Sequence, residues 1–311
     1  MNYRECAKLL KQQDSFLLIT HKNPDGDTAC SAAALCSALR RAGKTAYLYP
    51  NPQFTKKQLS YTERFLAPAA YSPAFRVAVD TATEDLYPQG CTPGVELCID
   101  HHPTNSHYAG EELLRPEKSS CGEVVLELIK SLCGDVTAEE ATMLYVALTT
   151  DTGCFQYANT STHTLNAGAE LLRLGADGQT VVRDFFRKVS PARMRLEGLI
   201  YTGMSFYREG QITVATVTRD MMTQAGADED DLDDLAGLAG RAEGSLVNVT
   251  IREKEDGSSK VSVRSAPGIS SSDICAAFGG GGHDMAAGCT IQCPPEKAKE
   301  LLLAVIDEVL R

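Results

Sequence analysis

FLLITHKNPDGDTACSAAALCSALRRAG, residues 16–43, carries the reading of the fold. Phe16 to Thr20 is a short apolar run of strand length, and Thr28 to Ala42 has helical periodicity. Asp27 or Thr28 can cap that helix, and Gly43 can end it. Between strand and helix, His21, Asp25 and Asp27 sit on a Pro-Gly turn where alternate residues can face one cavity. Outward from this unit, Thr45 to Tyr49, Arg76 to Asp80 and Val95 to Asp100 are further apolar runs separated by helical stretches. Strand, helix, strand alternation implies an α/β fold with a parallel sheet and helices on both faces. Such a sheet delivers side chains to the crevice at its strand ends.

Ser119 to Cys133 reads as a helix opened by Ser120 with Glu123 three places on, and Thr137 to Thr150 as a second one that Asp151 follows directly. From His163 to about Met204 the pattern is helical, broken at Gly175 and Pro191. After Gly203 it turns to hairpins: Ser205 to Arg208 and Gln211 to Thr218 around Glu209-Gly210, then Ser245 to Lys254 and Lys260 to Ser265 around Asp256-Gly257. Ser270 to Phe278 and Pro295 to Leu310 are later helices. The expected organisation is a domain over 1–186, a helical linker over 187–204 and a smaller mixed α/β domain over 205–311.

The 311 residues, 43% of them hydrophobic, suffice for one large domain or two ordinary ones. No apolar stretch reaches the length of a membrane span, and Met1 to Lys11 reads as an amphipathic helix, so a cytoplasmic protein without a membrane partner is expected. The eleven cysteines are scattered and form no CxxC pair, which excludes a zinc ribbon or disulfide framework. A net charge of -11 argues against grip on long duplex nucleic acid, whose affinity comes from Lys and Arg on phosphates. Short or small anionic substrates stay open, as does a homodimer. The acidic stretch Asp228 to Asp234 lacks the central glycine of a calcium loop and reads as a solvated helix start.

Five segments hold more acid and imidazole than a fold needs: HKNPDGD (21–27), VAVDTAT (77–83), CIDHHPTN (98–105), TTDTGCFQY (149–157) and GGGGHDMAAG (279–288). Each has an ordinary explanation by itself. An aspartate at a strand end is commonly a turn former or cap, a buried histidine commonly just finds a partner, and a glycine run can be a flexible turn. Together, the first four can hold two hard divalent ions, Mn²⁺ or Mg²⁺, about 4 Å apart and generate hydroxide for attack on phosphorus. His107 and His163 stand isolated and receive no role, and Asn105 reads as a turn former before it reads as a substrate contact.

HKNPDGD, VDTAT, DHH and TDTG in this order resemble the four motifs of the DHH phosphoesterase superfamily. GGGGHDMAAG with VRS (263–265) resembles its associated C-terminal substrate-binding domain, and the two-domain length is similar to the NrnA-like branch of stand-alone oligoribonucleases that also dephosphorylate 3′-phosphoadenosine 5′-phosphate. The resemblance implies that His21, Asp25 and Asp80 hold one metal and that Asp27, Asp80, His101 and Asp151 hold the other. Asp80 as the bridge and His102 as phosphate contact or proton donor are then the catalytic residues, with Asp100 orienting a ligand imidazole.

In the second domain the resemblance implies a phosphate site made of Arg264, Ser265, His283 and the amides of Gly280, Gly281 and Gly282. The activity implied is metal-dependent hydrolysis of very short RNA, of the 3′-phosphate of the bisphosphate nucleotide, or of both. A cyclic or linear dinucleotide phosphodiesterase is the rival within the class. A non-catalytic RNA-binding module is the rival outside it.

Overall fold

A computed structural model describes residues 1–232 and 235–310; Asp233 and Asp234, at the end of the acidic stretch, and Arg311 lie outside the described residues. The chain divides into two compact units, Met1–Lys188 and Val189–Arg311.

In the first unit, α1 (Tyr3–Gln12), β1 (Phe16–Ile19), α2 (Gly26–Arg41), β2 (Ala46–Leu48), α3 (Lys56–Thr62), β3 (Phe75–Val79), β4 (Leu97–Asp100) and β5 (Glu111–Leu114) lead into a run of helices. These are α4 (Cys121–Cys133), α5 (Ala138–Asp151), α6 (Thr162–Arg173) and α7 (Gly178–Val182). The sheet is parallel, in the order β2-β1-β3-β4-β5. Phe16, Leu18, Val77, Val79, Leu97 and Ile99 alternate onto one face and share a buried core with α1, α2, α4 and α5. The opposite face, carrying Ile19, Ala78 and Cys98, is closed by Tyr87, Val95 and Tyr108 from connecting segments. The β3–β4 connection contributes the single turn Glu84–Leu86 there. β5 is amphipathic and short, with Glu111 and Glu112 beside Leu113 and Leu114, and shows no apolar run in sequence.

The second unit comprises α8 (Pro191–Gly203), β6 (Ser205–Tyr207), β7 (Ile212–Val217), α9 (Arg219–Ala225), β8 (Val247–Glu253), β9 (Ser259–Ser265), α10 (Ser271–Ala276), β10 (Gly281–His283), β11 (Ala286–Ile291) and α11 (Pro295–Val309). Its mixed sheet runs β10-β11-β9-β8-β7-β6. Val249, Ile251, Val261 and Val263 face α10 and α11 on one side. On the other side Ala215 and Val217 pack with Leu196 and Ile200 of α8. Those two buried residues pack α8, which lies in the span 187–204 read as a linker, into this unit's core.

The acidic stretch contributes a single turn at Glu229–Leu232. No helix among the described residues is long and apolar enough to cross a membrane.

Candidate metal centre

β1, β3 and β4 end side by side, with His21 two residues past β1, Asp80 directly past β3 and His101 directly past β4. The helix after β1 starts at Gly26, two residues before the Thr28 start read from the sequence, so its cap is Asp25 rather than Asp27 or Thr28. Asp25 Oδ1 accepts from Thr28 N at 3.0 Å, while its other oxygen, Oδ2, lies 3.8 Å from His21 Nε2. A Cβ on Gly26 would lie 2.5 Å from the Thr150 side chain. Its absence lets the start of α2 close on the end of α5, whose last residue is Asp151.

Asp27 is buried in the first turn of α2. Its Oδ2 accepts from Cys121 N at 2.7 Å, and Oδ1 accepts from Gly122 N and Ser31 Oγ, each at 2.9 Å. The two amides open α4, where unpaired N–H groups and the helix dipole favour an anion. Asp80, just past β3, stands at φ 56°, a left-handed conformation that aspartate tolerates better than most residues. Its N–H donates to Ile99 O at 2.8 Å. Asp80 is 2% exposed, and its Oδ1 makes no hydrogen bond.

The imidazoles close the ring. His21 Nε2 is 3.9 Å from Asp80 Oδ2, and His101 Nε2 is 3.4 Å from Asp80 Oδ1, 3.6 Å from Asp151 Oδ2 and 3.8 Å from Asp27 Oδ2. His101 Nδ1 lies 3.1 Å from the carbonyl of Lys118, an acceptor only, so Nδ1 carries hydrogen and Nε2 faces the carboxylates as a lone-pair donor when the ring is neutral. His102 Nδ1 donates instead to Asp100 Oδ1 at 2.7 Å. Asp100 therefore holds the ring of His102, and the ring of His101 needs an acceptor of its own. The Lys118 carbonyl is that acceptor, and no local sequence signal marks it.

Three overlapping sets result, His21/Asp25/Asp80, Asp27/His101/Asp151 and Asp80/His101/His102, each with ligand atoms within 4.8 Å of one another. Burial, then the charges of Asp80 and Asp151, push the Asp27 carboxyl well above its ordinary range. Burial likewise raises Asp151 to about 7, with His101 opposing and Asp80 adding. Burial works against a charged His101, but Asp80, Asp27 and Asp151 outweigh it and raise the ring to about 11.

An orphaned carboxylate oxygen among carboxyls crowded enough to retain protons is an arrangement that a cation relieves. The donors are oxygen and imidazole nitrogen, while burial pushes the adjacent Cys98 thiol up to about 12. The residues thus fit hard divalent cations.

In the second unit, register places His283, Ala286 and Arg264 in one cross-strand row, so Arg264 and His283 project from the same sheet face. Both are exposed, and among the described residues no carboxylate pairs with Arg264. Ser265 is committed elsewhere: its hydroxyl donates to Ile269 O at 2.6 Å and accepts from Ser271 Oγ at 2.8 Å.

The glycine run leads into the edge strand β10, to which Gly281 and Gly282 belong. A Cβ on Gly282 would lie 2.6 Å from Ala286 O, and one on Gly280 would collide with Gly288 O and Cys289, so close strand approach accounts for both glycines. Gly281 has open space around its Cβ position.

Residues 15–148 match the DHH family, N-terminal domain, and residues 209–311 match the DHHA1 domain. The chain is 36% identical to the bifunctional oligoribonuclease and PAP phosphatase NrnA of Thermus thermophilus, across 99% of this chain and 94% of that one. It is 25% identical to the Bacillus subtilis protein of the same name across 92% of each. In fold it is similar to the crystal structure of an exopolyphosphatase-related protein from Bacteroides fragilis, with a TM-score of 0.89 at 22% identity, covering 98% of this chain and 96% of that one. Motif order, strand-end geometry and similarity over the whole length agree, and the chain belongs to the DHH family of phosphoesterases, in its NrnA-like branch.

Proposed function

We propose that this protein removes mononucleotides from very short RNA and the 3′-phosphate from 3′-phosphoadenosine 5′-phosphate. The observation that carries the reading is the convergence of His21, Asp25, Asp27, His101 and Asp151 on the buried, unsatisfied carboxylate of Asp80. In this reading His21, Asp25 and Asp80 hold one divalent cation, and Asp27, Asp80, His101 and Asp151 hold the other. The mixed carboxylate and imidazole set favours Mn²⁺ over Mg²⁺. Such a pair, when bound, lowers the pKa of water and neutralises phosphate charge.

The protein's own residues do the rest. His102, clamped at Nδ1 by Asp100, presents Nε2 to the leaving oxygen. As the phosphorus–oxygen ester bond breaks and a water oxygen takes its place, the proton on Nε2 passes to that leaving oxygen. Asp100 keeps its bond to Nδ1 and stabilises the charged ring beforehand. The first unit is the catalytic one and the second a substrate-binding one, with Arg264 and His283 as cationic and hydrogen-bonding contacts for a substrate phosphate. All eleven cysteines are unpaired, as suits the reducing cytoplasm.

The test is a panel of a labelled dinucleotide, a five-nucleotide RNA, the bisphosphate nucleotide and a cyclic dinucleotide, each with and without Mn²⁺ or Mg²⁺. The linear RNAs and the bisphosphate should be hydrolysed only with metal, and fastest with Mn²⁺. Turnover restricted to the cyclic dinucleotide, or unchanged in chelator, would overturn the assignment.

A further inference from the structure

The segment DHHPTN folds back on its own first residue. Asn105 N donates to His102 O at 3.2 Å, closing a turn that has Pro103 directly after His102. The turn returns the Asn105 side chain to Asp100, where Nδ2 donates to Oδ2 at 2.7 Å. The other oxygen, Oδ1, accepts from His102 Nδ1 at 2.7 Å and His101 N at 2.8 Å. Asp100 is 0% exposed and Asn105 is 7% exposed, so water cannot readily substitute for either partner. The amide orientation is set independently, because Asn105 Oδ1 accepts from His107 N at 2.9 Å and the nitrogen is thereby turned to Asp100.

We propose that Asn105 is a positioning residue for the reaction: through Asp100 it fixes the aim of His102, without touching metal or substrate. This deepens the reading of His102 as the proton donor to the leaving oxygen and rests on it. A buried carboxylate needs donors on both oxygens to stay in one rotamer. Without Nδ2 of Asn105, Asp100 can rotate or be drawn toward the His101 amide, and the His102 ring loses its fixed direction. Proton delivery depends on that direction. Asn105 is therefore neither a simple turn former nor a substrate contact.

The experiment compares wild type with Asn105→Ala on two substrates, a dinucleotide with a poor alkoxide leaving group and a nitrophenyl ester of a nucleotide. Expected for the dinucleotide is a fall in kcat of about tenfold, as for one lost hydrogen bond to a charged group, with KM unchanged to within about twofold. On the nitrophenyl ester, whose leaving group needs little protonation, kcat should fall less than about threefold. Metal content of the purified variant should equal wild type. In a His102→Ala background, adding Asn105→Ala should change kcat no further, because both act on one step.

Should Asn105→Ala fail to fold, Asn105→Leu, which fills the buried site without offering a donor to Asp100, carries the same comparisons. Equal losses on both substrates, lost metal, or a full additional loss in the double variant each overturn the role of Asn105. A wild type that hydrolyses neither substrate with Mn²⁺ defeats the functional reading itself, which is a separate result from an active wild type with an indifferent Asn105→Ala.

Discussion

Asp27 and Cys121, far apart in sequence, meet at 2.7 Å, where a carboxylate oxygen accepts the first backbone N–H of α4. This bond and the one from Gly122 N orient Asp27 toward Asp80 and Asp151, although burial and those two charges disfavour its ionisation. Function and stability are therefore opposed at this residue.

The opposition is measurable. Carboxyls raised in the folded protein stabilise it below their unfolded pKa, and that contribution is lost as pH rises through the folded value. For Asp151 the window runs from the ordinary carboxyl value of 3.8 to about 7. Metal-free Asp151→Asn should therefore melt several degrees above metal-free wild type at pH 8, and the difference should shrink toward pH 4. Adding Mn²⁺ should reverse the order by stabilising wild type alone. Thermal melts at both pH values, with and without metal, check this; a variant that melts below metal-free wild type at pH 8 would count against it.

Metal binding should release protons. His101 is held at about 11 in the metal-free site by its carboxylate neighbours, yet it must lose its Nε2 proton to act as a ligand. Calorimetric titration with Mn²⁺ at pH 7 in two buffers of different ionisation enthalpy should give different heats, and affinity should rise with pH. Identical heats in both buffers would mean that no proton leaves the site.

The two histidines should fail differently. With Nδ1 on the Lys118 carbonyl and Nε2 among the carboxylates, His101→Ala should lower metal occupancy and recover partly in excess Mn²⁺. His102→Ala should retain its metal and lose kcat by about 10²-fold or more without rescue. Missing metal in His102→Ala, with occupancy intact in His101→Ala, would exchange their roles.

In the second unit, exposed Arg264 and hydrogen-bonded Ser265 are expected to separate in kind. Arg264→Ala should raise KM by about tenfold or more, a loss of about 1.5–3 kcal/mol, with the melting temperature unchanged. Ser265→Ala should lower the melting temperature, since Ser271 Oγ and Ile269 O both lose a partner, and should leave KM near wild type. Among the glycines, Gly282→Ala should destabilise and Gly281→Ala should not. KM and melting curves on the four variants decide each point.

Local sequence was enough to find the strands at 16–20, 76–80 and 95–100 and the acid or imidazole group that follows each, because apolar runs and the groups after them are near neighbours in the chain. Ser120 likewise announced α4, since a cap and its helix lie within three residues. Side-chain direction was not legible. Which imidazole faces the carboxylates depends on whether its Nδ1 meets Lys118 O or Asp100, and Asp27 is aimed by amides 94 and 95 residues onward. The same limit hid the glycine hairpin, whose requirement for glycine comes from the β11 backbone pressed against it, and Ser265, whose hydroxyl is committed to the turn after β9. Periodicity reports which face of an element is buried; it carries no record of the partner that arrives there from another part of the fold.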